Sequence, residues 1–319
     1  MKVSIVLCTY NGERYLSRQL DSIFKQTRSA DEVLVQDDGS IDGTWSILRH
    51  YADRHPQMRL LHNEGEHGVN ANFYSAMMRA TGDVLLLADQ DDIWLPHKTQ
   101  TLLDALGDNL LVASMSQPFS SDDDPEAASS SDTRVPNVSL LRMLHTSVVA
   151  GHTMALRPQL LSLISPKVKN RIMYDAAMQI AACAAGRMAF VPEVLVMQRR
   201  HTDSATYTAP LSRSRSPLNI VRTVWHDLCI YRRTRPAWRR RMTVMQELLG
   251  YVAENSMNDC PKRDEAMRYV SIQLHGTYLQ STMFCLRHHR RLLHAVEPSW
   301  AYSIMRALFF PISSAVYVR

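Results

Sequence analysis

Apolar positions in the first hundred residues recur with two alternating periods. Val3–Cys8, Glu32–Gln36, Arg59–His62 and Val84–Ala88 are short runs suited to strands buried on both faces. Between them, Leu16, Leu20 and Ile23/Phe24, then Trp45, Leu48 and Tyr51, then Phe73, Met77 and Ala80 step by three and four. Each set puts one apolar stripe on a helix. Strand and helix alternating at this rhythm predict βαβ units, a parallel sheet and an α/β fold. Right-handed crossovers carry every strand-to-helix loop to one sheet edge, where ligands of such sheets bind. Further along, the pattern predicts a helix from Pro96 to about Leu106, a strand at Leu110–Met115 and a strand near Val148–Leu156. A helix from about Asp175 to Ala185 and closing strands at Met188–Val191 and Val194–Gln198 follow. Gln117 to Pro136, rich in Ser, Asp and Pro, reads as a loop with little to bury.

From about Pro217 the pattern is purely helical. Leu218, Val221, Val224/Trp225, Leu228 and Tyr231 form one stripe, and Trp238, Met242, Met245, Leu249 and Val252 another; Met267, Val270, Leu274 and Tyr278 form a third. Charge changes sign near the same place. Residues 1–210 hold 19 Lys/Arg and 24 Asp/Glu, whereas residues 211–319 hold 17 and 7, a net of +10. The chain therefore divides into an α/β domain, 1–210, and a basic helical region, 211–319. Six arginines at 232, 233, 235, 239, 240 and 241, with Trp238 among them, suit an anionic membrane surface. A plain helical bundle with solvated arginines is the alternative. Five cysteines with no CxxC pair argue against a disulfide framework. No secretory signal is visible, and Ala307 to Val318, broken by Pro311, is shorter than the roughly 20 residues a spanning helix needs.

Candidate chemistry sits in the loops after the strands. Asp89, Asp91 and Asp92 directly follow an apolar strand, and three carboxylates within four residues repel one another. A hard divalent cation, Mg²⁺ or Mn²⁺, removes that cost; a helix N-terminus accounts for one aspartate but not three. Asp37-Asp38-Gly39-Ser40 ends a second strand, where an aspartate can accept from a base or ribose. There, Ser40 or Asp42 can instead cap the next helix. HExxH, GxSxG, GxGxxG and Walker patterns are absent.

Together Thr9-Tyr10-Asn11-Gly12-Glu13, Asp37-Asp38-Gly39-Ser40, Gly68-Val69-Asn70-Ala71-Asn72-Phe73 and Asp89-Gln90-Asp91-Asp92-Ile93-Trp94-Leu95-Pro96 resemble family 2 glycosyltransferases. The Asp-Gln-Asp-Asp-Ile-Trp form is most similar to a bacterial rhamnosyltransferase-like branch. The resemblance extends through Gly151-His152-Thr153-Met154, Tyr174-Asp175 and Arg200-His201, over about residues 1–206. It implies a GT-A nucleotide-sugar fold and inverting transfer to a saccharide or lipid-linked acceptor, with dTDP-L-rhamnose the favoured donor. It implies donor contacts at Thr9, Tyr10, Asn11, Glu13, Asp37, Asp38, Asn72, Asp89 and Gln90, metal ligation by Asp91 with Asp89, and Asp175 as general base. Trp94, His152 and His201 would face acceptor or diphosphate. By the same resemblance the protein would build cell-surface polysaccharide at the cytoplasmic membrane face and bind no nucleic acid. Ala71, Ala176, Ala177 and Arg199-Arg200 depart from the family pattern, the first near the diphosphate and the others at the acceptor pocket. A nucleotidyltransferase would need a glycine- and base-rich phosphate loop that is missing here. A nucleic-acid-binding protein would have to reconcile its basic tail with the acidic first half.

Overall fold

The computed structural model describes residues 1–120, 135–200, 217–292, 304 and 307–312. They form two compact units. One comprises Met1–Val135, Val149–Ala182 and Arg187–Ala205; the other comprises Pro136–Val148, Cys183–Gly186 and Thr206–Arg319.

The first unit is built on one eight-stranded sheet. Its strands are β1 (Val3–Thr9), β2 (Glu32–Asp37), β3 (Met58–His62), β4 (Val84–Ala88), β5 (Ile93–Trp94), β6 (Leu111–Ser120), β7 (Met154–Leu156) and β8 (Met188–Arg200). The spatial order is β3-β2-β1-β4-β7-β6-β8-β5. Strands β1 to β4 are parallel, β7 runs antiparallel to both its neighbours, β8 is parallel to β6, and β5 is antiparallel to β8. Every residue of β1, β2 and β4 is buried, as strands covered on both faces require. The covering helices are α1 (Leu16–Phe24), α2 (Thr44–Ala52), α3 (Val69–Arg79) and α4 (Lys98–Leu106). Val3, Ile5 and Leu7 of β1 share one apolar core with Leu16, Leu20 and Ile23 of α1 and Leu102 and Leu106 of α4.

The register fixes the functional edge. Thr9 lies opposite Asp37 across β1 and β2, and Leu7 lies opposite Ala88 across β1 and β4. The loops that begin at residues 10, 38 and 89 therefore leave the sheet side by side. Three sequence expectations change here. The strand expected near Val148–Leu156 is confined to Met154–Leu156, because Gly151–Thr153 forms a 3₁₀ turn. Gln117–Ser120 belongs to β6 rather than to the polar loop, because it pairs with Met197–Arg200 of β8. The two closing strands are one 13-residue strand, and register shifts near Met115 absorb the mismatch. Helix α5 (Leu140–Met143) follows, and then α6 (Tyr174–Ala184) after a 3₁₀ turn at Gly151–Thr153.

The second unit contains α5, α7 (Pro217–Asn255), α8 (Pro261–His275), α9 (Tyr278–Arg287) and α10 (His289–Leu292). The two stripes expected before residue 255 lie on one 39-residue helix that contains Pro236. The third is broken at Gly276, where an added Cβ would stand 2.6 Å from the Ile272 carbonyl oxygen. Thr277 and Gln280 then start α9 with a reciprocal capping box. Trp238 is buried, stacks on His145 at 5.0 Å and donates to Gln273 Oε1, so it cannot reach a membrane interface as the sequence suggested. Arg241 also leaves the exposed cluster: its Nε donates to the Leu144 carbonyl at 2.9 Å. The other five arginines of that cluster remain exposed. Among the described residues no helix is long and apolar enough to cross a membrane.

Candidate active site

The first loop is shaped by its neighbours. Asn11 takes a left-handed φ of 48°, accepts from Ile41 N through Oδ1 and donates its own N–H to Ser40 Oγ. Glu13 Oε2 accepts from Gly43 N at 2.9 Å. A Cβ on Gly43 would come 2.5 Å from Glu13 Oε1, so glycine is what lets this carboxylate sit there. Tyr10 is exposed at the tip, and its backbone N–H and carbonyl both pair with the Gln90 amide at 2.9 Å. Gln90 thus ties the first loop to the acidic one.

Asp37 and Asp38 have different surroundings. Asp37 is fully buried and accepts from Thr9 Oγ1, Gly39 N, Ser40 N, Ser40 Oγ and Trp45 Nε1. Thr9 and Asp37 are therefore spent on building the loop, not on facing a ligand as expected. Asp38 accepts from Asn63 Nδ2 at 2.6 Å and Gly68 N at 2.7 Å, with His67 Nδ1 at 3.0 Å. These donors orient its carboxylate at the rim. Asn72, also expected at the donor, is buried and exchanges hydrogen bonds with Gln36. It fastens α3 to β2.

In the acidic loop the structure gathers Asp89, Asp92 and His152. Their ligand atoms all lie within 4.8 Å of one another. His152 Nδ1 stands 3.0 Å from Asp89 Oδ2 and 3.0 Å from Asp92 Oδ2. Asp92 is 2% exposed, and burial pushes its carboxyl up to about 7 against the pull of His152. Burial opposes charge on His152 too, but the Asp92 and Asp89 carboxylates outweigh it and raise the imidazole to about 8. Asp91 lies apart from this triad, half-buried; its carbonyl accepts from Arg199 Nε, and Asp92 Oδ1 accepts from Arg199 N. His152 Nε2 has no hydrogen-bond partner among the described residues. Of Asp89, Asp92 and His152 only Asp89 is half-buried rather than buried, so a hard divalent cation would reach the group through Asp89.

Sequence reasoning missed Lys98. It is fully buried, donates to the His152 carbonyl at 2.7 Å and lies 3.1 Å over the Trp94 ring. Burial drives its amine well below the ordinary value, against Asp92 and Asp89. A lysine two residues after a proline reads as a surface residue, so no sequence signal marked it. Trp94, expected at acceptor or diphosphate, is buried beneath this amine.

Asp175 opens α6, half-buried, and Oδ1 accepts from Ala176 N at 2.7 Å. Asn70 positions it: Oδ1 accepts from Tyr174 N at 2.6 Å and Nδ2 donates to the Lys169 carbonyl. The Tyr174 ring stacks on Phe73 at 4.3 Å, and its hydroxyl fills the space where Gly151 would carry a Cβ. Burial first, then Asp89 and Asp175, hold that hydroxyl well above its ordinary value. His201 lies outside the described residues.

A model of the family described as Glycosyl transferase family 2 matches residues 4–195. An uncharacterized glycosyltransferase of Nostoc sp. is 26% identical over 211 residues, 63% of this chain and 65% of that relative. The chain thus spans a little under two thirds of that curated relative. A glucosyltransferase of Escherichia coli, named as acting on α-D-GlcNAc-diphosphoundecaprenol with UDP-Glc, is 35% identical over 98 residues, 31% of this chain and 38% of its own. Among solved structures, residues 1–349 of Staphylococcus aureus TarS in complex with UDP-GlcNAc match with a TM-score of 0.57. That match has 17% identity and covers 99% of this chain and 88% of the other.

Proposed function

The chain belongs to glycosyl transferase family 2 and has the GT-A fold, and we propose that it moves a sugar from a nucleotide donor to a saccharide or lipid-linked saccharide with inversion. The observation that carries this is the joining of loops at one sheet edge: Gln90 pairs with Tyr10, His152 pairs with Asp89, and Tyr174, the neighbour of Asp175, packs its hydroxyl against Gly151 next to His152. Asp38, oriented by Asn63 and Gly68, retains acceptor capacity for a base N–H. Tyr10, Asn11 and Glu13 line the same rim.

A divalent cation, Mg²⁺ or Mn²⁺, would be held by Asp89 and Asp91, the half-buried carboxylates of the loop. When bound it neutralises charge on the departing diphosphate. Asp92 and His152, each 2% exposed, are too deep to meet a diphosphate and hold Asp89 from behind. Lys98 in turn fixes the His152 backbone. Asp175 takes the proton from the acceptor hydroxyl, and one base with in-line attack gives inversion. Nothing in this rim is specific to thymine, so dTDP-L-rhamnose, favoured by the loop motif, stands beside UDP- and GDP-sugars. A relative whose named acceptor is a diphosphoundecaprenol supports a lipid-linked acceptor. Such an acceptor would bring the protein to the anionic cytoplasmic face of the membrane, where the exposed arginines of α7 are attracted.

A thermal-shift screen of dTDP-L-rhamnose, UDP-glucose, UDP-GlcNAc and GDP-mannose with Mn²⁺ tests the donor reading. One nucleotide sugar should raise the melting temperature well above the rest. Equal, negligible shifts for all four would refute a binding rim built on Asp38.

A further inference from the structure

Helix α9 is built inside out. Its buried side carries Ser281, Thr282, Phe284 and Cys285, while Leu279 is 70% exposed and Met283 is 60% exposed. An ordinary surface helix does the reverse. Steps of four set Leu279, Met283 and Arg287 on one stripe. Tyr278 is exposed too, and its hydroxyl donates to the Leu308 carbonyl at 3.2 Å. That bond brings the exposed Leu308 and Phe309 of the helical segment 307–312 alongside. Five large apolar side chains in one exposed area mark an interaction surface.

Charge identifies what it meets. From Gly276 to Leu292 the chain carries Arg287, Arg290 and Arg291 and no Asp or Glu. Arg291 pairs with Glu265 at 2.7 Å, but Arg287 and Arg290 have no carboxylate within salt-bridge distance among the described residues. We propose that Tyr278, Leu279, Met283, Leu308 and Phe309, edged by Arg287 and Arg290, dock into an anionic lipid surface. The apolar side chains enter the acyl boundary, and the arginines extend to the phosphates of the headgroups. A second copy of the chain fits less well, because an isologous pairing would set Arg287 and Arg290 against their own copies with no acid in this stretch to neutralise them. This deepens the membrane reading above and rests on it for its purpose, while its face is distinct from the α7 arginines.

The test is sedimentation of the full chain with phosphatidylcholine vesicles and with vesicles containing phosphatidylglycerol, beside light scattering of the protein alone. Wild type should sediment with the anionic vesicles. The double variant L279S/M283S changes only exposed positions; it should keep its melting temperature and bind these vesicles about tenfold or more weakly. Leu279→Trp should bind at least as tightly as wild type. If wild type and L279S/M283S bind equally, the docking face lies elsewhere, and the membrane reading survives without it. If wild type ignores both vesicles, the membrane reading falls with the proposal. A wild-type dimer that L279S/M283S dissociates, with no vesicle binding by either, would assign the face to a second copy and overturn the proposal.

Discussion

Asp175 and Gly151 meet at Tyr174, and each gives a residue-level prediction. Asp175→Asn keeps the shape and the hydrogen bond from Ala176 N but cannot take a proton. Transfer should fall by about 10² or more while donor binding stays; turnover near wild type would move the base elsewhere. At Gly151 an added Cβ would stand 2.2 Å from the Tyr174 hydroxyl oxygen, so Gly151→Ala must displace the ring beside Asp175 or the turn that carries His152. A lowered melting temperature together with slower transfer is expected, and an unchanged enzyme would show the turn is not held there. The loop carboxylates were legible because a motif names them. What a motif does not show is burial. Asp37 and Asp38 are adjacent in sequence, yet Thr9, opposite Asp37 in the sheet register, draws only Asp37 inward. Lys98 was missed, and the burial of Asp92 was not foreseen, for the same reason: the 3₁₀ turn that buries them comes from more than fifty residues later in the chain.

Among the elements, strands β1 to β4 and helices α1 to α4 follow their apolar periods closely, since local pattern and burial agree there. Disagreement begins where long-range pairing decides, as when β6 and β8 extend each other past Gln117. It recurs at Tyr278, which ends the third expected stripe yet is exposed at the start of α9. Helix α7 packs Trp238 against His145, which also meets Phe310 at 4.7 Å and Tyr269 at 5.5 Å. Neither His145 ring nitrogen has a hydrogen-bond partner among the described residues. Burial, then the cationic Arg142 and Arg241, holds the imidazole well below its ordinary value. The unfolded chain therefore takes up this proton first, near pH 6.5. The stability from a neutral, buried His145 is fully present above that pH and is lost as pH falls below it. His145→Phe keeps a stacked ring and removes the proton site, so its melting temperature should fall less than wild type's between pH 7 and pH 5. Parallel losses in the two proteins would place the acid sensitivity elsewhere.

At the scale of the molecule, charge is divided: net −5 over residues 1–210 and net +10 over residues 211–319. Acidic loops suit a cation and a nucleotide, and a basic helical region suits anionic lipid. If exposed arginines of α7 drive the attraction, vesicle binding should weaken as salt rises past about 0.15 M, where the Debye length is about 8 Å. Neutralising Arg232, Arg233, Arg235, Arg239 and Arg240 should weaken it further without touching donor binding; Arg241 is left out because it holds the Leu144 carbonyl. Binding that ignores both salt and these five changes would leave the arginines without a role. The central claim is cation-assisted sugar transfer at the Asp89–Asp92 loop, and its most direct measurement is release of nucleoside diphosphate from the donor that stabilises the protein, in the presence of a lipid-linked saccharide acceptor whose hydroxyl takes the sugar. Wild type with Mn²⁺ or Mg²⁺ should release it, whereas wild type in excess chelator and Asp91→Asn with either cation should not. Undiminished release in chelator, or by Asp91→Asn, would contradict the claim.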